Sequence, residues 1–422
     1  DYDQLNEWSV YFRNCYVQAL TKEQKDKYIG EPKPAPDDQI WCILDTPFYL
    51  ARYNDTKIEL RNTARRWLTP ALERHLQGAR SNKVTLMLQL VLRDIDRLHS
   101  GVTADEAEHQ CFFLMKVLPF VGYQQVLTDR LDDALSNGPK LRFGKKDIYR
   151  YTYNCLCAYM DRRDLWPEYS GSYADSLEMC WGKFCELYER NGKPPTVTAL
   201  NELVPYSTFL FGLLVHRNGV SQFCHDNYRD FFAALHIANV VYLLSVGFSC
   251  SALKNEELEV FLLQLEVFDH SILIDAETIL EQYFGICLND KSCFETLLCY
   301  AQGQLSRLIL LHILIRFLEA NAQSNSRRFG NGSDKQLFIY QSGLYVQFKE
   351  LFESLQQSPE RLGDRYGQFY VYVLAMLARD YRTGKSGNRS LIQCVSYAHL
   401  AVESSKKLNI PIYYGVEHTL YD

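Results

Sequence analysis

The sequence predicts a mainly α-helical protein interrupted by one small β-hairpin. Three observations carry that expectation. From residue 60 onward apolar residues recur at helical spacing, through Leu68, Leu72 and Leu76 and then Leu86, Leu90, Ile95 and Leu98. Near residue 205 the period changes: Phe209-Leu210-Phe211-Gly212-Leu213-Leu214-Val215 precedes Arg217-Asn218-Gly219, and a second apolar run follows over 220–223. An Asn-Gly pair between two apolar runs is the strongest short-range hairpin signal. Past residue 250 the helical period returns, over 256–274, 276–284, 294–318 and 344–355.

The elements follow in chain order. Residues 8–19 are apolar around Val10-Tyr11-Phe12 and Tyr16-Val17, which suits a short strand. Thr21, followed by charged and amide residues, reads as a helix cap, with the helix ending at Gly30. Pro32, Pro34 and Pro36 make an extended loop, and apolar periodicity resumes over 40–50 around a turn at Thr46-Pro47. A helix over 104–126 is predicted to kink at Pro119. Two further helices are expected over 147–160 and 176–189. After the hairpin a long helix starts at about Asp226. The stretch 321–335, rich in Asn, Ser, Gly and Arg, is the best linker candidate. Beyond it Leu374-Ala375, Leu377-Ala378, Tyr381, Gly384, Cys394, Tyr397 and Ala401 resemble one helix-turn-helix unit of the tetratricopeptide or Sel1-like class.

Composition narrows the function classes. A chain of 422 residues is long enough for two to four domains. With 45 basic and 51 acidic residues the net charge is −6, so no broad basic surface draws nucleic acid or anionic membranes by charge. Hydrophobic residues reach 47%, which places the chain among globular proteins. The 13 cysteines are scattered, as at Cys111, Cys287 and Cys299, and read as reduced core thiols of a cytosolic protein. Cys155-Leu156-Cys157 lacks the two-residue spacer of a zinc or redox pair. Residues 1–4 show no signal-peptide start. The uncharged run 231–253 is long enough to span a bilayer, but it continues a charged helix start and reads as a buried helix.

The most informative stretch is Phe223-Cys224-His225-Asp226-Asn227-Tyr228-Arg229-Asp230-Phe231-Phe232-Ala233-Ala234. It combines buried-type aromatics with a histidine and a charged pair, which a core helix alone does not need. This run resembles the signature that closes the winged-helix domain in the NACHT family of signal-transduction NTPases: an aromatic, one residue, a histidine, then an acidic-Phe-Phe-Ala-Ala run. Helix, hairpin, helix is also the winged-helix order. The resemblance extends over about 1–250. Residues 10–20, Leu20-Thr21 with Glu23-Gln24 and Tyr28-Ile29, and Ile43-Leu44 with Thr46-Pro47-Phe48 and Leu50 are similar to the last strand of a NACHT nucleotide-binding domain and the helical lid after it. Leu118-Pro119-Phe120 is similar to the opening helix of the winged-helix domain.

The resemblance implies a layout: 1–20 as the end of a nucleotide-binding domain, 21–110 as helical lid, 111–250 as winged helix, 251–322 as a helical domain and 336–422 as a TPR-like or Sel1-like segment. It implies that Pro47 packs against adenine and that His225 touches the diphosphate of ADP in a closed state, with ATP exchange opening the molecule for homo-oligomerisation. Protein ligands or self-assembly through the helical surface are the partners it implies, in innate immunity or phage defence. Both residues also have plain structural roles open to them, Pro47 as a helix-start proline and His225 as a residue of a helix N-cap. Arg229 and Asp230 either brace the winged helix against the lid or form a solvated face.

The family's Walker A loop, Mg-binding acids and sensor arginine, which precede the lid, are not among these residues. Gly384-Lys385-Ser386 ends like a phosphate loop, but Arg379 stands where the first glycine belongs, so it reads as an inter-helix loop. His216, His236, His270 and His312 have no companions at ligand spacing and read as structural or solvent-facing. No nucleophile elbow or paired-carboxylate arrangement is marked. The rival expectations are an α-helical repeat scaffold for protein partners and, last, a winged-helix nucleic-acid binder.

Overall fold

The computed structural model describes residues 20–31, 33–35, 40–56, 82–98, 118–134, 213–217, 220–245, 265, 268–287, 304–328, 333–356, 367–384 and 389–409. The strand expected over 8–19, the helices around Leu68 to Leu76, over 104–117, 147–160 and 176–189, and the cysteine pair at 155–157 lie outside these residues.

The described chain is mainly helical. Thr21 opens the first helix, Lys22–Asp26 (α1), with a reciprocal capping box: its hydroxyl accepts from the Gln24 N–H, and the Gln24 side chain accepts from the Thr21 N–H. The helix ends at Asp26, short of the expected Gly30, where the Lys27 and Tyr28 N–H groups turn back to the Gln24 and Lys25 carbonyls, and Lys25 points inward. Its ammonium is buried, donates to the Trp41 carbonyl at 2.8 Å and pairs with Asp45. The chain after α1 is held by Asn54, which accepts the Gly30 N–H at 2.8 Å and donates to the Tyr28 carbonyl at 2.7 Å. Ile40–Ile43 (α2) and Pro47–Thr56 (α3) follow, with Pro47 as the first residue of α3, where a missing N–H and a fixed φ suit a helix start.

Helix Lys83–Leu98 (α4) packs on α3 and buries Leu86, Leu90 and Val91 at the predicted spacing. Leu118–Ala134 (α5) contains Pro119 as its second described residue, so the kink expected there falls at the edge of the described residues. Leu214–Arg217 (β1) and Val220–Phe223 (β2) pair antiparallel, with Leu214 opposite Phe223 and Arg217 opposite Val220. The Cys224 N–H extends the ladder to the Leu213 carbonyl at 2.9 Å. The hairpin is tied to α5 by Gln125, a buried side chain whose Oε1 accepts the Phe223 N–H at 3.1 Å.

Asp226–Ser245 (α6) is the central helix. Phe231, Phe232, Ala233, Ala234, Leu235, Ile237, Ala238 and Val241 are all buried, and a helix apolar all round belongs in a core. It packs on α5 and on His270–Phe284 (α7). Its contact with α5 is close because Gly122 faces it: a Cβ there would stand 2.7 Å from the Arg229 carbonyl oxygen and 2.9 Å from Phe232 Cβ. Among the described residues no helix is long and apolar enough to cross a membrane.

Gln304–Arg328 (α8) packs on α7, Ser333–Gln356 (α9) on α8, and Gly367–Thr383 (α10) forms a helical hairpin with Leu391–Leu408 (α11). Aromatic rings join the last layers: Phe352 stacks on Tyr370 at 5.8 Å and Tyr381 on Tyr397 at 5.6 Å. Leu374, Ala375, Leu377, Ala378, Tyr381, Cys394, Tyr397 and Ala401 are all buried, and Gly384 follows α10 with φ +69°; Lys385 and Ser386 lie outside the described residues.

Three expectations are corrected. The linker assigned to 321–335 is helical through Arg328 and again from Ser333, since a helix nucleated by the buried run 308–318 propagates through residues of poor propensity at little cost. The break expected between Ile274 and Ala276 is absent. It falls instead at Asp269, the N-cap of α7, so 256–274 is not one helix. Cys42 and Cys224 are exposed and Cys287 half-buried, leaving Cys394 as the buried thiol among the described cysteines. His312 takes the structural of the two roles expected for it: it is wholly buried among aromatic rings, with neither ring nitrogen partnered.

Candidate functional site

Pro47 and His225, distant in sequence, are carried by two helix starts that meet. His225 is the residue before α6, and its Nδ1 accepts the N–H of Asn227, the second residue of that helix, at 3.1 Å. Its carbonyl accepts from Tyr228 and Arg229. The imidazole therefore caps α6 as a Ser or Asp side chain would. A ring nitrogen that accepts from a backbone N–H carries no proton, so in the neutral imidazole the proton sits on Nε2. His225 is exposed, and the Nε2–H is left as a donor beside the positive end of a 20-residue helix.

Phe48, next to Pro47, holds the second side of the site. Its ring lies 4.1 Å from the His225 ring, tilted by 33°, and meets Tyr228 edge-on at 5.6 Å. Arg52, one turn along α3, donates from Nη1 to the Tyr228 hydroxyl. Pro47 itself is exposed at the tip of α3. The arrangement sets the exposed Pro47 end of α3 near an oriented N–H donor, with the Phe48 ring packed against His225 between them.

The charged pair does not face this donor freely. Arg229 is only 22% exposed and reaches Asp230 at 2.9 Å and Asp226 at 3.3 Å. Burial pushes the Asp230 carboxyl above the ordinary range, opposed by Arg229 and Lys83. The ion pairs of Arg229 thus lie within the first turns of α6 itself, with Arg229 and Asp230 half-buried. Among the described residues no group of His, Cys, Asp and Glu side chains could hold a metal ion.

Three participants were not singled out from sequence. Phe48 and Tyr228 both lie inside the quoted motif runs, and their aromatic character beside Pro47 and His225 was the available signal. Arg52 had none, since its partner lies on a helix far away in sequence. The chain matches no protein-family model, no curated protein and no solved structure.

Proposed function

We propose that these residues form the regulatory and sensor portion of a nucleotide-switched ATPase of the NACHT type. In this reading α1 to α4 belong to a helical lid, α5, the hairpin and α6 to a winged helix, and α10–α11 to a TPR-like or Sel1-like unit of the sensing region. The observation that supports it is the tilted Phe48–His225 ring contact, which sets the Pro47 end of α3 beside a histidine whose Nε2–H is oriented and exposed.

ADP would be gripped in the closed state by Pro47 against adenine and by His225 at the diphosphate, together with a phosphate-binding loop from a nucleotide-binding domain preceding the lid. ATP exchange and a protein ligand on the helical region would release that contact and permit homo-oligomerisation in the cytoplasm. Innate immunity or phage defence is the setting the resemblance suggests. The switch needs a contact made in one state only, and a single N–H donor on a domain that rotates provides one.

The test uses protein that includes a nucleotide-binding domain ahead of residue 1. A hydrogen bond to a charged phosphate is worth roughly 1.5–3 kcal/mol, so His225→Ala should lower the closed-to-open ratio by about ten- to a hundredfold. Size-exclusion chromatography should then show assembly without ligand. The 422-residue chain by itself should neither turn over ATP nor bind ADP at micromolar affinity, and calorimetric binding with phosphate release would sink the reading.

A second reading, an α-helical scaffold for protein partners without nucleotide dependence, is favoured by one feature. Leu391, Ile392 and Val395 project from α11 at 63%, 83% and 49% exposure, an apolar row that a partner surface would cover. Loss of partner capture in Ile392→Asp with no effect of ADP on that capture would support it over the switch.

A further inference from the structure

The helical hairpin of α10 and α11 is closed along one edge and open along the other. α11 packs on α10 and buries Cys394, Tyr397, Ala398, Ala401 and Ser405. At about 100° per residue these five side chains form one arc around the helix, with Tyr397 at one edge and Ala398 at the other. The Tyr397 edge is met by α9, whose Glu353 accepts the Tyr397 hydroxyl at 2.7 Å. Beyond the Ala398 edge the arc continues as Leu391, Val395 and Val402, with Ile392 beside them. Leu391, Ile392 and Val395 are exposed and Val402 is half-buried, so the apolar face of α11 is wider than its neighbours cover. The row runs for about 16 Å, three turns of helix. Ile392 apart, the crest of α11 opposite the buried arc is polar, formed by the exposed Ser396, His399 and Glu403.

Charge frames this row at both ends. Arg389 stands exposed just before the N-cap Ser390, and Lys406 and Lys407 stand exposed in the last turn. Among the described residues none of these three cations has an ion-pair partner. Lysines at a helix C-terminus are held by the dipole, but Arg389 sits at the end where the dipole favours acids. Between Arg389 and Lys407 the sequence offers one acid, Glu403, in a chain whose net charge is −6. The surface is positive where the molecule as a whole is negative.

We propose that this flank of α11 is the docking surface for an acidic amphipathic helix of a partner protein. Its apolar side would lie on Leu391, Ile392 and Val395, and its carboxylates would meet Arg389 at one end and Lys406 and Lys407 at the other. Apolar side chains at i, i+4 and i+11 match the apolar ladder of a helix laid alongside. Unpaired cations beyond both ends of the row select carboxylates and repel a basic helix. A membrane takes up an apolar crest, whereas here the crest is polar and the apolar row lies on the flank. The inference rests on the reading, common to both functions above, that the helical region binds a protein ligand, and it names the chemistry of that ligand; nucleotide has no part in it.

The test uses the full chain and a fluorescein-labelled helical peptide of about 20 residues, built of Leu, Ala and Glu with a leucine ladder on one side and glutamates at both ends. A second peptide has Lys for every Glu, and vesicles of phosphatidylcholine with about 30% phosphatidylserine stand for a membrane. Fluorescence anisotropy should show saturable binding of the acidic peptide, about tenfold or more tighter than the basic one and weakened by salt. Ile392→Asp should weaken it by about tenfold or more. Arg389→Glu with Lys406→Glu and Lys407→Glu should reverse the preference between the peptides, and circular dichroism checks that both variants stay folded. The proposal is overturned if the acidic peptide binds no better than the basic one, if either variant binds it as the parent does, or if the vesicles are bound and the acidic peptide is not. Preference for the basic peptide would keep a protein-binding surface and remove its acidic occupant. Binding of neither peptide would remove the surface as well, and with it the reading on which the proposal rests.

Discussion

The imidazole of His225 is held from two sides: its Nδ1 accepts the Asn227 N–H at 3.1 Å, and its ring lies 4.1 Å from that of Phe48. The structural role and the binding role therefore use different atoms of one side chain. Removing the ring costs a helix cap and a tilted ring contact, whereas removing Phe231 opens a hole in the core beside Phe232, whose ring lies 5.3 Å away. His225→Ala should lower stability by about 1 kcal/mol, the usual size of a lost cap. Phe231→Ala should lower it by about 3–5 kcal/mol. Urea unfolding of the two variants separates them, and equal losses would make His225 a core residue in effect.

Gly122 and Gly343 are both helical glycines and should respond in opposite directions to the same substitution. A Cβ at Gly122 would press on the Arg229 carbonyl at 2.7 Å, on backbone that cannot yield without parting α5 from α6, whereas a Cβ at Gly343 meets nothing within 4 Å. Gly122→Ala is expected to destabilise by about 1–3 kcal/mol. Gly343→Ala, on the exposed side of α9, should stabilise by about 0.5–1 kcal/mol through the higher helix propensity of alanine. Denaturant midpoints with unchanged m-values are the measurement.

Gln125 attaches the hairpin to α5 through a hydrogen bond from backbone, beside the stack of Phe223 on Phe232 at 5.2 Å. Gln125→Leu leaves the Phe223 N–H buried without its Oε1 partner and should cost about 1–3 kcal/mol, with faster amide exchange along β2. Gln125→Glu keeps an acceptor at that position and should retain more of the β2 protection. Equal exchange in the two variants would mean that the side-chain volume, not the hydrogen bond, holds the hairpin.

What was legible in the sequence was local. Thr21 with Gln24, Pro47 at a helix start and the spacing of Leu86 and Leu90 act within a few residues and reappear in the structure. Composition misled over 321–335, because Asn, Ser and Gly report propensity, while the helices there extend from apolar segments that pack elsewhere. The site was half visible. His225 and Pro47 stood out by motif, but their meeting through Phe48 depends on which helices pack together. No residue spacing encodes that.

His312 provides the sharpest pH test. Its ring is wholly buried against Phe348, Phe369 and Tyr372, contributed by α9 and α10, and neither nitrogen has a partner. Burial, helped by the nearby Arg316, pushes its pKa down from 6.5 to about 3. The folded protein thus holds His312 neutral, while the unfolded chain takes up a proton below about pH 6.5. Its contribution is complete above that pH and is lost as pH falls toward about 3. The slope approaches 1.4 kcal/mol per pH unit, so about 2 kcal/mol should be gone by pH 5. His312→Leu removes the titration and the two unpartnered nitrogens together, and should be the more stable protein at pH 7.5 by roughly 1–3 kcal/mol. The variant's advantage should widen on acidification, with urea midpoints at pH 7.5 and pH 5 as the readout. A gap that stays constant between those two pH values would mean that His312 finds a hydrogen-bond partner in solution and is not held neutral by burial.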